Sequence, residues 1–525
     1  MENSMMSEMS RVTVSEKGAA SATIVRRIES LFLLLCIFLY CFVSSAQAVE
    51  TGTGEILAME AARLEEQGQY SQALEQYSKA LPLLLEAQND ELAQVCSDSA
   101  RKLMIIQDTY PYSLSELKEL ILQAYPEASE EQITLWTTEE TLHKWTYDGE
   151  THYFSDTVAN LKYRYLDLMF ADEASQASYG SLLEDVLAII AGQPDNSFTQ
   201  YGHPAQYRGI HTISVPRGEL PQTGTLRLWL PIPINTGAQT ETVIESVTPE
   251  KWMKFPASID RDIGLAYLEV PLEELEEDLL IQLAFVFTHY EQHYDVDPTA
   301  VGEYDRDSEV YRHYTGSYGN TEINDEIIDM ANHIAGDESN PYLAARKIYD
   351  YIVENVTYCL MPHLLFHPRT EMAESSYVHR YQQGDCGAQS MYFTAMCRAL
   401  GIPARTTGGW QLFSGEFSGH FWAEFYLPNY GWIPVDTSFG QLSYYPKEAS
   451  AEDQKAFIDF CFASQDSMRC VVQKDTDIPL IPKAQGMVLL PLAIQMPAVE
   501  YSIPSGEMWE APVLEHWTLS CEKIY

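Results

Sequence analysis

The spacing of apolar residues separates a helical first part of the chain from a later part that contains strands. Residues 53–107 carry apolar side chains at helical spacing, and residues 112–195 continue this pattern with polar breaks. From about Gln206 to Gln292, apolar and polar residues alternate instead, in runs bounded by proline and glycine. The pattern predicts a helical region at residues 49–200 and a small antiparallel β-domain at residues 205–300.

One segment of the helical region is similar to half of a tetratricopeptide repeat. Residues 68–73 read Gly-Gln-Tyr-Ser-Gln-Ala and are followed by Tyr77, Ala80 and Leu81, a pattern that lets two helices approach closely. Only one copy is visible in the sequence, whereas such arrays generally need about three repeats to be stable. We therefore expect a helical hairpin that packs on its neighbours, in preference to a peptide-binding array.

Capping residues mark where several helices begin. Ser113 precedes an acidic first turn, and Asn340 is followed by a proline at the first helical position. These signals predict one helix after Ser113 and another that runs from Asn340 to about Glu354, with a further amphipathic helix at residues 324–335. After Tyr358 we expect a loop as far as about residue 383.

The segment after that loop places a cysteine in the first turn of an apolar helix. Residues 384–387 read Gly-Asp-Cys-Gly, and Asp385 is a suitable N-cap. Free backbone N–H groups and the helix dipole favour the thiolate, which is the nucleophilic form of cysteine. Free cysteine is more often a small buried hydrophobe, and Cys397 on the same helix face fits that description. Cys386 has uncluttered neighbours and is therefore the candidate nucleophile.

A histidine and an aspartate lie on the two strands of a predicted hairpin further along the chain. Period two places His420 and Trp422 on one face of the first strand. A three-residue loop at residues 428–430, followed by Gly431 where positive φ is favoured, makes paired residue numbers add up to 858. Asp436 then lies opposite Trp422 and diagonal to His420, where its carboxylate can orient one ring nitrogen and leave the other for a thiol.

Four motifs within residues 321–445 together resemble the transglutaminase-like superfamily, and exported prokaryotic members most of all. They are residues 384–387, residues 398–405 (Arg-Ala-Leu-Gly-Ile-Pro-Ala-Arg), residues 419–424 (Gly-His-Phe-Trp-Ala-Glu) and residues 431–436 (Gly-Trp-Ile-Pro-Val-Asp). The resemblance implies an α+β fold with a papain-like catalytic domain at residues 321–445, in which a nucleophile helix packs on an antiparallel sheet that bears the histidine and the aspartate. Residues 455–525 form a C-terminal extension that no motif assigns.

The resemblance also implies a thiol enzyme with Cys386 as nucleophile, His420 as general base and then acid, and Asp436 orienting His420. Attack on a protein or peptide amide gives a thioester, which an amine resolves by acyl transfer and water by hydrolysis. An extracellular cysteine peptidase or amidase is the enzymatic alternative, and a non-catalytic binding or assembly module with a vestigial triad is the other. No metal or organic cofactor is implied. Tyr358 and the Cys386 backbone N–H are the candidate oxyanion donors, although Tyr358 suits core packing equally well.

The charge of the chain argues against nucleic acid as a partner. With 32 Lys and Arg against 76 Asp and Glu, the formal net charge is −44. Phosphate binding requires clustered basic side chains, and anionic lipid is repelled for the same reason. The charge is therefore interpreted as a surface adaptation that keeps the protein soluble, and the expected partners are protein or peptide substrates.

The first 48 residues are predicted to be an export signal. Arg26 and Arg27 precede an apolar run at residues 31–43, and a small-x-small cleavage pattern ends at Ala48. This run is short for a membrane span, which needs about 20 residues. We therefore expect an exported, extracellular or cell-surface protein that starts near Val49. The membrane would be involved only if the segment stayed uncleaved as an anchor.

Overall fold

The computed structural model describes residues 52–192, 200–363, 372–413, 416–488 and 494–525. Leu57–Tyr525 form one compact unit, and the residues up to Ile56 belong to a second unit, of which residues 52–56 are described. The predicted signal peptide at residues 1–48 lies outside these ranges. Every helix in the described part of the chain is too short or too polar to cross a bilayer.

The N-terminal region consists mainly of helices, as the apolar spacing predicts. Their bounds are α1 Thr53–Glu66, α2 Tyr70–Glu86, α3 Asp90–Thr109, α4 Leu114–Ala124, α5 Glu130–Thr138, α6 Thr157–Arg164, α7 Leu166–Ala171 and α8 Glu173–Gly192. Gly68, with a φ of 72°, separates α1 from α2. Ala73, Tyr77 and Leu84 recur at helical spacing on the buried face of α2, where they form one apolar cluster with residues of α3.

A β-hairpin interrupts this region and corrects the expectation that residues 112–195 are helical throughout. Strand β1 spans Lys144–Tyr147 and pairs antiparallel with β2, Glu150–Tyr153. The two loop residues, Asp148 and Gly149, have φ values of 51° and 80°. Positive φ at both positions is what a two-residue hairpin turn of primed type requires, and Asp-Gly is its common sequence. Each strand has only four residues, too few to interrupt the helical spacing around them.

The predicted helix caps are confirmed. The Ser113 side chain accepts a hydrogen bond from the Glu116 N–H in a capping box that begins α4. Asn340 accepts hydrogen bonds from the first turn of α11, Pro341–Asn355, which has its proline at the first helical position. Both helices begin where a side chain satisfies backbone N–H groups that would otherwise have no partner.

The region predicted as a β-domain forms two antiparallel sheets whose apolar faces share one core. Its strands are β3 Gln200–Val215, β4 Thr225–Pro231, β5 Gln239–Thr248, β6 Leu265–Pro271 and β7 Leu279–His293. One sheet is built on the long pair of β3 and β7, with β5 also paired to β7. The other contains β4 and β6. The alternating period that predicts these strands reflects one buried and one more exposed face.

The next segment leads to an antiparallel sheet covered by a buried helix. Its elements are α9 Glu309–Tyr314, α10 Asp325–Ala335, α11 Pro341–Asn355, β8 Thr357–Tyr358, α12 Glu374–Tyr381, β9 Gln383–Gly384, α13 Cys386–Ala399, β10 Ala404–Phe413, β11 Glu416–Leu427, β12 Gly431–Val435 and α14 Thr437–Gln441. Helix α12 corrects the expectation of a loop between Tyr358 and residue 383. Phe393 of α13 meets Phe425 of β11 edge to face, with ring centroids 6.2 Å apart. The α+β class predicted from the sequence is confirmed.

The C-terminal residues add strands to each of the larger sheets. They form α15 Ala451–Phe460, β13 Ser464–Gln465, β14 Arg469–Gln473, β15 Ala498–Tyr501, α16 Glu510–Glu515 and β16 Trp517–Lys523. Strand β14 completes the sheet of order β12-β11-β10-β14, whereas β13 and β16 flank the β3–β7 pair and β15 pairs with β4. The domain boundaries expected from the sequence stay a prediction, and these pairings cross the one expected near residue 445.

Candidate active site

The candidate nucleophile is the first residue of α13. Asp385 is the N-cap of this helix, and its carboxylate accepts a hydrogen bond from the Ala388 N–H at 2.9 Å. Residues 387–398 are buried, which fixes the helix in the core, whereas Cys386 itself is partly exposed. The placement of Cys386 in a capped first turn, predicted from the sequence, is confirmed.

The Cys386 side chain lies against β11. It packs on the side chains of Phe421 and Met391, and the Phe421 backbone N–H donates a hydrogen bond to its sulfur. Strand β12 pairs with β11 only from Leu427 as far as Ala423. At Phe421, the edge of β11 that would face β12 therefore has no partner in that strand. The thiol therefore lies beside Phe421, the residue that follows His420 in β11.

The hairpin of β11 and β12 has the register that the sequence predicts. Ala423 pairs with Val435 and Leu427 with Gly431, so that paired numbers add up to 858. Gly431 has a φ of 89°, as expected for the residue that follows the three-residue loop. Continuation of this register places Asp436 beside Trp422 and diagonal to His420.

His420 and Asp436 are joined by a buried hydrogen bond. His420 Nε2 lies 2.8 Å from Asp436 Oδ2, and the two residues are 6% and 3% exposed. Asp436 is also the N-cap of α14, because its Oδ1 accepts from the Phe439 N–H at 3.1 Å. Trp422, which is fully buried, stacks near the imidazole with ring centroids 6.1 Å apart. The strand, the turn and the helix cap together fix the orientation of the carboxylate.

A buried arginine that the sequence motifs do not identify binds the same carboxylate oxygen as His420. Arg469 Nη1 of β14 lies 2.7 Å from Asp436 Oδ2. Its Nε and Nη2 bind Asp466 at 3.0 and 2.9 Å, and its guanidinium lies 4.6 Å from the Phe439 ring centroid. The only signal in the sequence is an arginine three residues after an aspartate, which does not say where its other partner lies.

Residues 328–437 match the family model of the transglutaminase-like superfamily. This segment is a transglutaminase-like domain. The family predicted from four motifs is confirmed for the segment, and it contains Cys386, His420 and Asp436.

The matches to individual proteins cover more of the chain than the transglutaminase-like domain does. An uncharacterized protein from Haemophilus influenzae is 23% identical over 319 residues, which cover 54% of this chain and 82% of that protein. A solved structure of a candidate cysteine protease from Cytophaga hutchinsonii covers 62% of this chain and 92% of its own at 12% identity, with a TM-score of 0.35. The periplasmic domain of TgpA from Pseudomonas aeruginosa covers 48% and 97% at 13% identity, with a TM-score of 0.25. Similarity at this level does not indicate a shared reaction.

The surroundings of the Cys386 thiol in the transglutaminase-like domain oppose its ionisation. Burial raises the pKa of Cys386, and the charge of Asp385 raises it further. Backbone N–H groups of Phe421 and Gly387 lower the pKa without outweighing burial. The Gly387 N–H in the first helical turn acts in the direction that the sequence predicts, although burial opposes it more strongly. A base must therefore remove the proton as the sulfur attacks.

The aspartate is ionised at neutral pH. Burial alone would raise the pKa of Asp436, but His420 and Arg469, together with the hydrogen bond from Phe439, hold it below its ordinary value. An ionised carboxylate can stabilise an imidazolium when His420 takes up a proton.

Tyr358 of β8 lies beside the nucleophile. It pairs with Gly384 in a parallel bridge, and its ring meets Tyr163 edge to face at 4.9 Å between centroids. Burial raises the pKa of its hydroxyl, and the neighbouring Cys386 and Asp385 add to the effect. Among the residues that the structure describes, no group of three or more His, Cys, Asp and Glu side chains is arranged to hold a metal.

Proposed function

We propose that the chain is a thiol enzyme that transfers or hydrolyses acyl groups at protein or peptide amide bonds. The observation that carries the proposal is the buried contact of His420 with Asp436, on a hairpin that also contacts the Cys386 thiol. A lone histidine or aspartate is more often structural, but here the N–H of Phe421, the residue after His420, donates to the Cys386 sulfur. Nucleophile, base and orienting carboxylate in one place are what nucleophilic catalysis requires.

In the first half-reaction, the Cys386 sulfur attacks the amide carbonyl carbon while its proton moves to His420. Since Nε2 of His420 faces Asp436, Nδ1 is the nitrogen left for the thiol. The imidazolium is stabilised by the carboxylate, and the carbonyl oxygen becomes an oxyanion. The C–N bond then breaks, the leaving amine takes the proton from His420, and a thioester remains on the sulfur.

In the second half-reaction, an amine or a water molecule attacks the thioester carbon. His420 removes a proton from the attacking group, and the C–S bond breaks as the thiol is reprotonated. An amine gives a new amide, so the outcome is acyl transfer, whereas water gives a carboxylic acid. No net change in protonation or oxidation state is left on the enzyme.

The oxyanion is assigned to the backbone N–H of Cys386 and the hydroxyl of Tyr358. The first N–H groups of a helix have no intrahelical acceptor and can donate to a developing negative charge. The Tyr358 hydroxyl lies near the same sulfur and stays protonated, because burial raises its pKa.

The proposal is tested with a matched pair of cysteine variants. The protein starting at Val49 and its Cys386→Ala and Cys397→Ala variants are incubated with a mixture of extracellular proteins and an amine probe. Attachment of the probe and release of peptides or ammonia are measured in parallel. We expect activity in the wild type and in Cys397→Ala, which changes a buried residue of the same helix, and none in Cys386→Ala.

The outcomes separate the alternatives. Probe attachment indicates acyl transfer, and peptide or ammonia release without attachment indicates a peptidase or amidase. Turnover that survives Cys386→Ala would rule out Cys386 as nucleophile. Absence of both products in the wild type would favour the non-catalytic binding module.

Export belongs to the same proposal. It rests on the apolar run at residues 31–43 and the small-x-small pattern that ends at Ala48. N-terminal sequencing of the exported protein should give a start near Val49. A chain that retains residues 31–43 would instead be anchored in the membrane.

A further inference from the structure

A second imidazole lies beside the start of the nucleophile helix and is not used by the proposed chemistry. His363 Nε2 is 2.5 Å from Asp385 Oδ2, and its Nδ1 is 3.3 Å from Glu374 Oε1 at the start of α12. The His363, Glu374 and Asp385 side chains are 25%, 10% and 14% exposed. An imidazole whose two nitrogens both face carboxylates carries a proton on each of them and is positively charged.

Asp385 connects this imidazole to the nucleophile. Its Oδ1 caps α13 by accepting from the Ala388 N–H, so its Oδ2 is the oxygen available to His363. Asp385 directly precedes Cys386, and its negative charge opposes ionisation of the thiol. A compensating positive charge on the far oxygen reduces that opposition without removing the cap.

We propose that protonated His363 is a positioning residue, which fixes the Asp385 cap and offsets its charge so that the Cys386 thiol can ionise. The inference deepens the proposed function and rests on Cys386 being the nucleophile. Aspartate is a good cap for a helix N-terminus, but its charge raises the pKa of the adjacent thiol. With His363 protonated beside it, Asp385 raises that pKa less.

The groups around His363 support a charged imidazole. Glu374 and Asp385 outweigh the effect of burial and raise the pKa of His363 well above its ordinary value. His143, from the segment before β1, is neutral, because burial and then the charge on His363 lower its pKa to about 4. The Cys359 thiol lies 3.8 Å from His143, and burial raises its pKa, so it adds no charge.

The test measures the thiol directly and needs no substrate. Cys386 alkylation by iodoacetamide is followed by mass spectrometry of its peptide, in the full protein and in His363→Gln, Asp385→Asn and the double variant. Glutamine can still donate a hydrogen bond to Asp385 but carries no charge, and asparagine is as good an N-cap as aspartate. Cys397, which is fully buried in the same helix, becomes alkylated only if the helix opens and thus reports unfolding.

His363→Gln should slow Cys386 alkylation roughly threefold at a fixed neutral pH. Loss of a nearby opposite charge raises a thiol pKa by about one unit, which cuts the thiolate fraction tenfold, while the more basic thiolate is about three times as reactive. Asp385→Asn should accelerate alkylation by a similar factor. In the Asp385→Asn background, His363→Gln should have a smaller effect, because an imidazole that has lost its closer carboxylate is less fully protonated at neutral pH.

The cycle separates an electrostatic role from a structural one. Unchanged alkylation in His363→Gln, or equal slowing with and without Asp385→Asn, would overturn the inference. If His363→Gln fails to fold, as judged by Cys397 alkylation, a failure of Asp385→Asn to accelerate the reaction overturns it alone. Alkylation does not depend on turnover, so activity that survives Cys386→Ala would remove the proposed function and leave this result intact.

Discussion

Replacing Asp436 by asparagine perturbs three hydrogen bonds that one carboxylate makes. Oδ2 accepts from His420 Nε2 at 2.8 Å and from Arg469 Nη1 at 2.7 Å, whereas Oδ1 caps α14 through the Phe439 N–H. An amide has one oxygen and one NH₂ group. If the oxygen keeps the cap, the NH₂ group faces two donors, and if it turns toward them, the cap is lost.

The loss of activity follows from the first of these contacts. An amide cannot stabilise the imidazolium, and it favours the wrong ring tautomer, which in a Ser-His-Asp enzyme costs about four orders of magnitude in turnover. We expect roughly 10³–10⁴-fold lower turnover for Asp436→Asn. This prediction holds for acyl transfer and for hydrolysis, because both need the base.

The loss of stability follows from the two charge-assisted contacts. At about 1.5 kcal/mol each, the low end for hydrogen bonds to charged groups, their loss lowers the free energy of unfolding by about 3 kcal/mol. Arg469 keeps its contacts with Asp466 and is not left as an unpaired buried charge. The variant should therefore stay folded at neutral pH and unfold at a lower urea concentration.

The pH dependence of this difference has a fixed sign. The pKa of Asp436 is lowered in the folded protein, so its contribution to stability is fully present above its unfolded value of about 3.9. That contribution is lost as the pH falls through the folded-state pKa. Wild type and Asp436→Asn should therefore converge in unfolding free energy below about pH 4.

Asp466→Asn is the matched control. It alters a buried carboxylate on the same arginine and leaves the contact between His420 and Asp436 in place. Urea unfolding and turnover are measured for both variants. Equal losses of turnover would mean that Asp436 acts only through stability, and unchanged turnover in Asp436→Asn would remove it from the catalytic site.

Three further variants or probes examine neighbouring groups. Iodoacetamide should label Cys386 much faster than Cys397 at neutral pH, because Cys386 is partly exposed whereas Cys397 is fully buried, and equal rates by peptide mass spectrometry would count against Cys386 as nucleophile. Tyr358→Phe should lower turnover by about 10²-fold with an unchanged thermal melt, as for loss of one oxyanion donor, and full activity would exclude that role. Arg469→Met should lower the unfolding free energy by about 3–5 kcal/mol in urea, since two buried carboxylates lose their partner, and a change below about 1 kcal/mol would contradict this.

Local signals in the sequence were sufficient to predict the position of the three proposed catalytic residues. Asp385 caps the helix that begins at Cys386, because a short polar side chain before a helical run satisfies its first N–H groups. The alternation of a strand, a three-residue loop and Gly431 determine which face Asp436 occupies. Each signal depends only on residues close together in the chain, so it can be recognised in the sequence without knowledge of the tertiary structure.

The groups that support the site could not be predicted in this way. Arg469 reaches Asp436 because β14 joins the sheet beside β10, and that strand order depends on packing between distant segments. His363 lies where we expected a loop, and it meets Asp385 because α12 and β8 bring that segment to the start of the nucleophile helix. The sequence by itself determined which residues are available for chemistry and on which elements they lie. Only the tertiary structure decided which charges surround them, because ion pairs between distant segments leave no periodic or local pattern in the chain.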